Sequence, residues 1–424
     1  MKILILTVGT RGDVQPYLAL AIGLQKAGHQ VQLCTHQMFD SLICRYGIDH
    51  APINNDLRAF MDSEAGREAM ETTTNLIAAI RTGIRLLPLI TEMMRRQIQE
   101  MWQAAEAFQP DVILFHKKAI GAEDFAEKLG CRCGLAFYLP MYVPTATFPA
   151  FGFPRFPSGS LYNRSTYRVV EAVTRMSSGK FIKPWRKEQN LPRQRPPYFC
   201  HADGRPIPAI HAFSPSVIPQ PADWPDHATV TGYWFLNALE SETPDSELVR
   251  FLEAGPPPVY VGFGSIFGKN PRDLTARVIE GIRRSGFRAI LASGWGGLDV
   301  TDFTLPDSIF TLKSAPHDWL FPRVSAVVHH GGCGTTAAGL RAGKPNLICP
   351  FFGDQPFWGN KVHALGAGPK PIPQRKLTAD HFCKALQQLV NDEQLRLRAE
   401  EVGRQLQNED GVSNAVRFIE NQFA

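Results

Sequence analysis

Long apolar runs and clustered basic residues are missing from this 424-residue chain. No stretch approaches the ~18 apolar residues that a membrane-spanning helix needs. The start, MKILILTVGTRGD, is interrupted by Arg11 and Asp13, so we expect no secretory signal. The formal net charge is +5 without a basic run, and nucleic acid is therefore not expected as a partner. The mild positive charge suits an anionic small ligand or peripheral contact with an anionic membrane surface.

Paired cysteines are also missing. The eight cysteines form no C-x-x-C pair, and Cys131 and Cys133 lie too close together for an ordinary zinc site. Several lie in apolar stretches, where a reduced cysteine packs as a small core residue. We therefore expect a reducing, cytoplasmic compartment.

The chain does contain two rounds of alternating strand and helix patterns. A short apolar run, a glycine turn, a helical pattern and a second apolar run fill residues 2–34, which predicts a βαβ unit. A similar alternation restarts at residue 259. Between these halves, residues 191–234 are dense in proline and predict extended connecting chain. A chain of this length favours two domains.

The predicted fold class is therefore α/β, with two Rossmann-like domains and parallel sheets. The predicted boundaries are a first domain over 1–215, a proline-rich linker over 216–240 and a second domain over 241–407. A C-terminal helix over 408–424 is predicted to pack back on the first domain. Ligands of such sheets bind beyond the carboxyl ends of the strands, which directs attention to the glycine turns found there.

The sequence HHGGCGTTAAGLRAGKP at 329–345 places glycines between a strand and a helix. Glycines let the backbone approach an anion closely, and the helix start offers unpaired N–H groups. His330 and Thr335 can add side-chain donors. The pattern predicts a phosphate site, and a glycine-rich turn with a capping threonine is the alternative.

Two further turns carry polar residues after strands. In PFFGDQPFWGN, at 350–360, Asp354 and Gln355 stand among aromatic residues, which is typical of sites that bind sugar hydroxyls. A polar turn with an aromatic anchor is the alternative. In GTRGDVQP, at 9–16, an exposed carboxylate of Asp13 could act as a general base, or it could cap the following helix as its N-cap residue.

These three segments, together with SPSVIPQPADWPDHATVTGYWF and PHDWLFPRVSAVV, resemble a family 1 glycosyltransferase of the GT-B fold. The similarity is greatest to the branch of the sterol 3-beta-glucosyltransferases, which is related to the glycopeptide-antibiotic glycosyltransferases. This resemblance implies two Rossmann-like domains whose sheets face a central cleft. It also implies an inverting transfer of a hexose, expected to be glucose, from a UDP-sugar to a lipophilic alcohol such as a sterol or related terpenoid.

The resemblance implies a role for each motif residue. Asp13 takes the place of the catalytic base, and Asp354 and Gln355 those of the sugar ligands. The other implied positions are diphosphate contacts at Ser265, His330, Gly332, Gly334 and Thr335, and nucleobase contacts at Ser314, Pro316 and His317. Plant-type members carry a tryptophan at Ser314 and a glutamate at Ala338, so a dTDP-sugar remains the alternative donor.

No D-x-D pair occurs in the chain, so we expect neither a metal ion nor another cofactor. The apolar stretch 76–94 and the aromatic stretch 137–157 are candidates for an acceptor pocket or a bilayer contact, with core packing as the alternative. Other functions stay open: a polyketide or glycopeptide glycosyltransferase, a non-hydrolysing sugar-nucleotide epimerase, and a non-catalytic nucleotide-sugar-binding protein. An oxidoreductase is disfavoured because G-x-G-x-x-G is missing.

Overall fold

The computed structural model describes residues 1–56, 59–60, 63, 66, 76–156, 159–193, 196, 199–238, 245–264, 271–293, 297–301 and 303–423. The chain forms two compact units. The first contains Met1–Leu236 together with Asp410–Ala424, and the second contains Asn237–Glu409.

The first unit is built on a seven-stranded parallel sheet. Its strands are β1 (Lys2–Leu6), β2 (Gln30–His36), β3 (Asp49–Ile53), β4 (Val112–Phe115), β5 (Arg132–Phe137), β6 (Ala209–His211) and β7 (Ala228–Val230). Their spatial order is β3-β2-β1-β4-β5-β6-β7. In β1, the four side chains from Ile3 to Leu6 are fully buried, as expected for a parallel strand that is covered on both faces.

Five described helices accompany these strands before the chain enters the second unit. They are α1 (Arg11–Lys26), α2 (Asp40–Arg45), α3 (Leu76–Phe108), α4 (Ala122–Leu129) and α5 (Ser160–Glu188). The register of the central strands pairs Ile3 with Val31 on one side and with Val112 on the other. The carboxyl ends of β1, β4 and β5 therefore lie side by side.

The second unit is built on a five-stranded parallel sheet. Its strands are β8 (Val259–Gly262), β9 (Ala289–Ala292), β10 (Ile309–Leu312), β11 (Ala326–His329) and β12 (Asn346–Ile348), in the order β10-β9-β8-β11-β12. Its helices are α6 (Ser246–Glu253), α7 (Pro271–Ser285), α8 (His317–Leu320), α9 (Cys333–Arg341), α10 (Gln355–Ala364), α11 (Ala379–Asn391) and α12 (Glu393–Gln407). The strand ends of β8, β11 and β12 again lie next to one another.

The last helix, α13 (Gly411–Phe423), packs on α1 within the first unit. Ala415, Ile419 and Phe423 are buried in the same core as the side chains of α1. Gly23 of α1 provides the close approach, because a Cβ at this position would collide with Val412.

The α/β class with two parallel sheets is confirmed, and two stretches differ in detail from the sequence patterns. The stretch for which extended connecting chain was predicted contains the short strands β6 and β7. Helix α3 extends from Leu76 through Pro88, although a proline usually ends a helix. The apolar stretch 76–94 therefore lies in this helix. None of the described helices is long and apolar enough to cross a membrane.

Candidate active site and candidate donor site

The predicted base, Asp13, is buried at the N-terminus of α1, with 5% of its surface exposed. The expectation of an exposed carboxylate is therefore wrong. The N-cap residue of α1 is Thr10, so the alternative of an N-cap aspartate is also wrong. Asp13 is the third helical residue, and its Oδ2 accepts hydrogen bonds from the backbone N–H (2.8 Å) and the hydroxyl (3.1 Å) of Thr10. The carboxylate thereby caps the helix with one oxygen only.

The other carboxylate oxygen of Asp13 is held by Lys118 and Tyr138, neither of which was predicted as a partner of Asp13. Lys118 Nζ donates to Oδ1 at 2.6 Å, and the Tyr138 hydroxyl donates to the same atom at 2.9 Å. Lys118 follows β4 and Tyr138 follows β5, so both come from strand ends beside that of β1. The rule that points to Asp13, a polar residue just after a parallel strand, would also have pointed to them.

The surroundings of Asp13 determine its charge. Burial by itself raises the pKa of the carboxyl group, but Lys118, His116 and the Thr10 backbone outweigh it and lower the pKa to about 2. Asp13 is therefore a carboxylate at every physiological pH. Burial lowers the pKa of His116 to about 3, against the opposing effect of Asp13. His116 is therefore neutral at physiological pH.

His116 is enclosed by aromatic rings close to Asp13. Its ring stacks on Tyr138 at a centroid distance of 5.5 Å and meets Tyr17 edge-on at 5.9 Å. Its Nδ1 accepts the backbone N–H of Lys118 at 3.2 Å, which fixes the proton on Nε2 in the neutral ring. The hydrogen bond from its backbone to His116 and the ion pair with Asp13 thus hold Lys118 in place. Stacking on His116 holds Tyr138 beside the same carboxylate.

In the second unit, the two histidines after β11 have different environments. His329 is fully buried; its Nδ1 accepts the Gly331 N–H at 3.0 Å and its Nε2 donates to Asn346 Oδ1 at 3.2 Å. His330 instead lies between Gly264 and Gly332, where an added Cβ would come within 2.8 Å and 2.7 Å of its ring. His329 is thus a structural residue. The His330 ring occupies space that is open because Gly264 and Gly332 have no side chain.

The charge and surroundings of His330 suit a hydrogen-bond donor to an anion. Burial lowers its pKa to about 4, against a smaller opposing effect of the Gly262 backbone, so the ring is neutral at physiological pH. Helix α9 begins immediately afterwards, with Gly332 as its N-cap and a first helical bond from Thr336 N to Gly332 O of 2.9 Å. The N–H groups of Gly334 and Thr335 precede this bond, at the positive end of the helix dipole.

The two threonines of α9, Thr335 and Thr336, also differ in burial and in hydrogen bonding. The hydroxyl of Thr336 is committed to Gly332 O at 2.9 Å and its side chain is fully buried. Thr335 is half-buried and Gly334 is exposed, with no heavy atom within 4 Å of an added Cβ. The space beside Gly334 at the helix N-terminus is therefore open, and a diphosphate contact at Gly334 and Thr335 stays a prediction. Ser265, the remaining predicted diphosphate contact, lies outside the described residues.

The predicted sugar ligands lie next to this turn. A Cβ at Gly331 would contact the backbone of Gln355, so the loops after β11 and β12 touch. Gln355 is buried, and its Oε1 accepts the backbone N–H groups of Phe351 (2.7 Å) and Phe352 (3.2 Å). Asp354 Oδ2 accepts from Trp358 Nε1 at 3.0 Å. These bonds give the loop its shape, and a sugar role for the two residues stays a prediction.

The predicted nucleobase contacts lie around the start of α8. Pro316 is its N-cap, Ser314 is exposed, and the His317 ring stacks on Phe321 at 4.3 Å. One face of the imidazole is therefore already covered. Among the described residues, no group of three His, Cys, Asp or Glu side chains could hold a metal ion.

Several solved structures with a similar fold are glycosyltransferases. The crystallised glycotransferase of kitacinnamycin aligns with a TM-score of 0.72 at 19% identity, over 100% of this chain and 99% of that one. The glycosyltransferase SsfS6 of Streptomyces sp. SF2575, complexed with thymidine diphosphate, aligns with a TM-score of 0.63 at 17% identity, over 99% of both chains. The fold is therefore that of the GT-B glycosyltransferases.

Sequence comparison narrows this class. Residues 3–147 match the glycosyltransferase family 28 N-terminal domain, and residues 299–414 match the erythromycin biosynthesis protein CIII-like C-terminal domain. Sterol 3-beta-glucosyltransferase UGT80B1 of Arabidopsis thaliana is 37% identical over 98% of this chain and 67% of its own length. The sterol 3-beta-glucosyltransferase of Emericella nidulans is 36% identical over 99% of this chain and 30% of its own length.

The chain belongs to the glycosyltransferase family of the sterol 3-beta-glucosyltransferases. It spans about two thirds of the length of UGT80B1 and UGT80A2 of Arabidopsis, and about 30% of the fungal relatives.

Proposed function

We propose that this protein transfers glucose from UDP-glucose to the hydroxyl group of a sterol or a closely related lipophilic alcohol, with inversion at the anomeric carbon. The observation that carries the proposal is the similarity to sterol 3-beta-glucosyltransferases over nearly the whole chain. The surroundings of Asp13 and His330 supply a chemistry that agrees with it.

Asp13 takes the proton of the attacking hydroxyl in this proposal. A carboxylate with a pKa of about 2 is a weak base toward a free alcohol. The oxygen becomes strongly acidic, however, as it bonds to the anomeric carbon, so a carboxylate suffices late in the transition state. The Lys118 side chain is about half exposed, at 52%, and its ammonium keeps Asp13 ionised until the proton arrives.

The leaving diphosphate gains negative charge as the glycosidic bond breaks. We assign the stabilisation of this charge to the neutral His330 ring, the N–H groups of Gly334 and Thr335, and the Thr335 hydroxyl. Such donors are fixed before the reaction begins, which is the arrangement that favours a charged transition state. Because the chain has no D-x-D pair, the proposal needs no metal bridge. Attack opposite the leaving group yields a β-glycoside from an α-linked donor.

The proposal is tested by incubating the purified protein with UDP- and dTDP-sugars and a panel of sterols, triterpenoids and polyketide alcohols. Mass spectrometry of the products then identifies the sugar and the acceptor together. A hexose adduct on a sterol with UDP-glucose is expected. Adducts confined to polyketides or dTDP-sugars would overturn the substrate assignment. A new nucleotide sugar formed without acceptor would identify an epimerase instead.

A further inference from the structure

Helix α5 (Ser160–Glu188) exposes a continuous face that is first apolar and then cationic. Six exposed residues recur at alternating steps of four and three, which places them on one side of the helix: Val169, Val173, Met176, Lys180, Lys183 and Lys187. Together they form what we call the α5 face, which is about 27 Å long at 1.5 Å per residue.

The apolar half of the α5 face is open to solvent. Met176 is 74% exposed, Val173 53% and Val169 49%. Leu161, two turns earlier and within 80° of the same direction, is 86% exposed. The opposite side of the helix is buried, as Ile182 and others show, so α5 is anchored in the first unit while this apolar strip faces outward. A contiguous exposed apolar strip on a folded domain marks a surface that binds a partner.

The charge on α5 identifies the kind of partner. The helix carries seven lysines and arginines and two acidic residues, Glu171 and Glu188. Glu171 lies near Arg175 at 3.9 Å, and none of the six residues of the α5 face is acidic. A second copy of the chain would bring no acidic side chain of this face to the lysines, whichever way the two faces were aligned. An anionic surface with an apolar interior would satisfy both halves at once.

We infer that the α5 face docks the first unit on an anionic phospholipid bilayer. The apolar side chains enter the boundary between headgroups and acyl chains, and the lysines bind lipid phosphates and carboxylates. The neighbouring helix α3, which packs against α5, also exposes Leu87 and Leu89. The inference goes beyond the proposed reaction, since vesicle binding requires neither donor nor turnover. It does explain how a lipophilic acceptor, which partitions into bilayers, would reach the enzyme.

Sedimentation of the full chain with sucrose-loaded vesicles tests the inference. We expect binding to phosphatidylcholine mixed with phosphatidylserine, weak binding to phosphatidylcholine alone, and weaker binding as salt is raised. The double variant Lys180→Glu with Lys183→Glu should bind at least tenfold more weakly, because each cation near the surface contributes about 1 kcal/mol. The double variant Leu161→Ser with Met176→Ser should lose binding to a similar extent.

Matched controls separate the α5 face from general effects. Lys26→Glu with Lys384→Glu makes the same change in net charge on α1 and α11, and Leu397→Ser replaces an exposed leucine of α12. Both should bind vesicles as the unmodified chain does. All variants should keep the thermal unfolding midpoint and should transfer sugar to detergent-dispersed acceptor at the unmodified rate.

Three results would overturn the inference. The first is no binding to anionic vesicles, and the second is equal loss of binding in the α5 variants and the controls. The third is a dimer in solution that the α5 variants dissociate, which would identify a second copy as the occupant. A failure of sugar transfer in the unmodified chain would contradict the proposed reaction alone, since the vesicle measurement does not depend on it.

Discussion

The two candidate sites lie at equivalent places, at the ends of central parallel strands. One is formed by side chains and the other largely by backbone groups. The Asp13 site consists of side chains, in which a lysine, a tyrosine and a helix cap surround one carboxylate. The His330 site consists largely of backbone, in which glycines admit an imidazole and a helix end presents N–H groups. The proposed base therefore lies among charged side chains, and the proposed diphosphate site lies among backbone N–H groups with open space beside them.

This contrast predicts that the two sites respond to different substitutions. Asp13→Asn keeps the shape of the first site and removes its base, so sugar transfer should fall about 10²- to 10⁴-fold. Donor affinity, measured by calorimetry, should stay within a factor of about three, since the predicted donor contacts belong to the second unit. Undiminished transfer by this variant would refute the role of Asp13.

Donor binding at the second site should weaken when a hydrogen-bond donor is removed and when a glycine gains a side chain. His330→Ala removes the proposed hydrogen bond to the diphosphate and should weaken UDP-glucose binding about 10- to 100-fold. Gly332→Ala should have a similar effect, because its Cβ displaces the His330 ring. Gly334→Ala adds a methyl group in open space, so it should weaken donor binding without lowering the unfolding midpoint. Unchanged donor affinity in all three variants would contradict a diphosphate site here.

The charge of the first site should appear in the pH profile. Lys118 opposes the effect of burial on Asp13, so Lys118→Gln should raise the Asp13 pKa above about 2, toward the ordinary range of an aspartate. The acid limb of kcat/KM then moves to higher pH. In the unmodified chain the lowered pKa contributes stability that is lost as pH falls from about 4 to 2, and this loss should shrink in the variant.

Tyr138→Phe is the matched control for Lys118→Gln. It removes a neutral donor from the same carboxylate oxygen and leaves the positive charge in place. Its acid limb should therefore shift less. An equal shift in both variants would show that hydrogen bonding, rather than the lysine charge, sets the pKa of Asp13.

The smallest effect on donor binding should come from changing Asn346, the hydrogen-bond partner of the buried His329. Asn346→Leu leaves the Nε2 of His329 without its partner, which should lower the free energy of unfolding by about 1–3 kcal/mol. Donor affinity should change little, since His329 is a structural residue. Chemical denaturation followed by donor titration of the same sample measures both. A large loss of donor affinity at full stability would reverse the assignment of the two histidines.

Much of the second unit could be predicted from sequence, because its strands are short apolar runs between glycines and prolines. The predicted restart of the alternation at residue 259 is the first residue of β8. The strands β6 and β7 could not be predicted, since each has three residues within a proline-rich stretch. The single helix α3 over Leu76–Phe108 could not be predicted either, because a proline such as Pro88 usually ends a helix.

The two candidate sites also differ in how much of each could be predicted from the sequence. The His330 turn is local in sequence, so its glycines, threonine and helix start could be predicted together. The partners of Asp13 are 105 and 125 residues away, and local patterns say nothing about which distant side chain reaches a carboxylate. The burial of Asp13 follows from those contacts, and for this reason the expectation of an exposed base was wrong.

The most direct test of inverting transfer is the configuration of the product. Purified protein is incubated with UDP-glucose and a sterol, and the anomeric centre of the isolated glycoside is assigned by NMR. We expect a β-linked glucoside from the α-linked donor, formed only when both substrates are present. An α-linked product, or no glycoside from any sterol, would contradict in-line attack on UDP-glucose with Asp13 as the base.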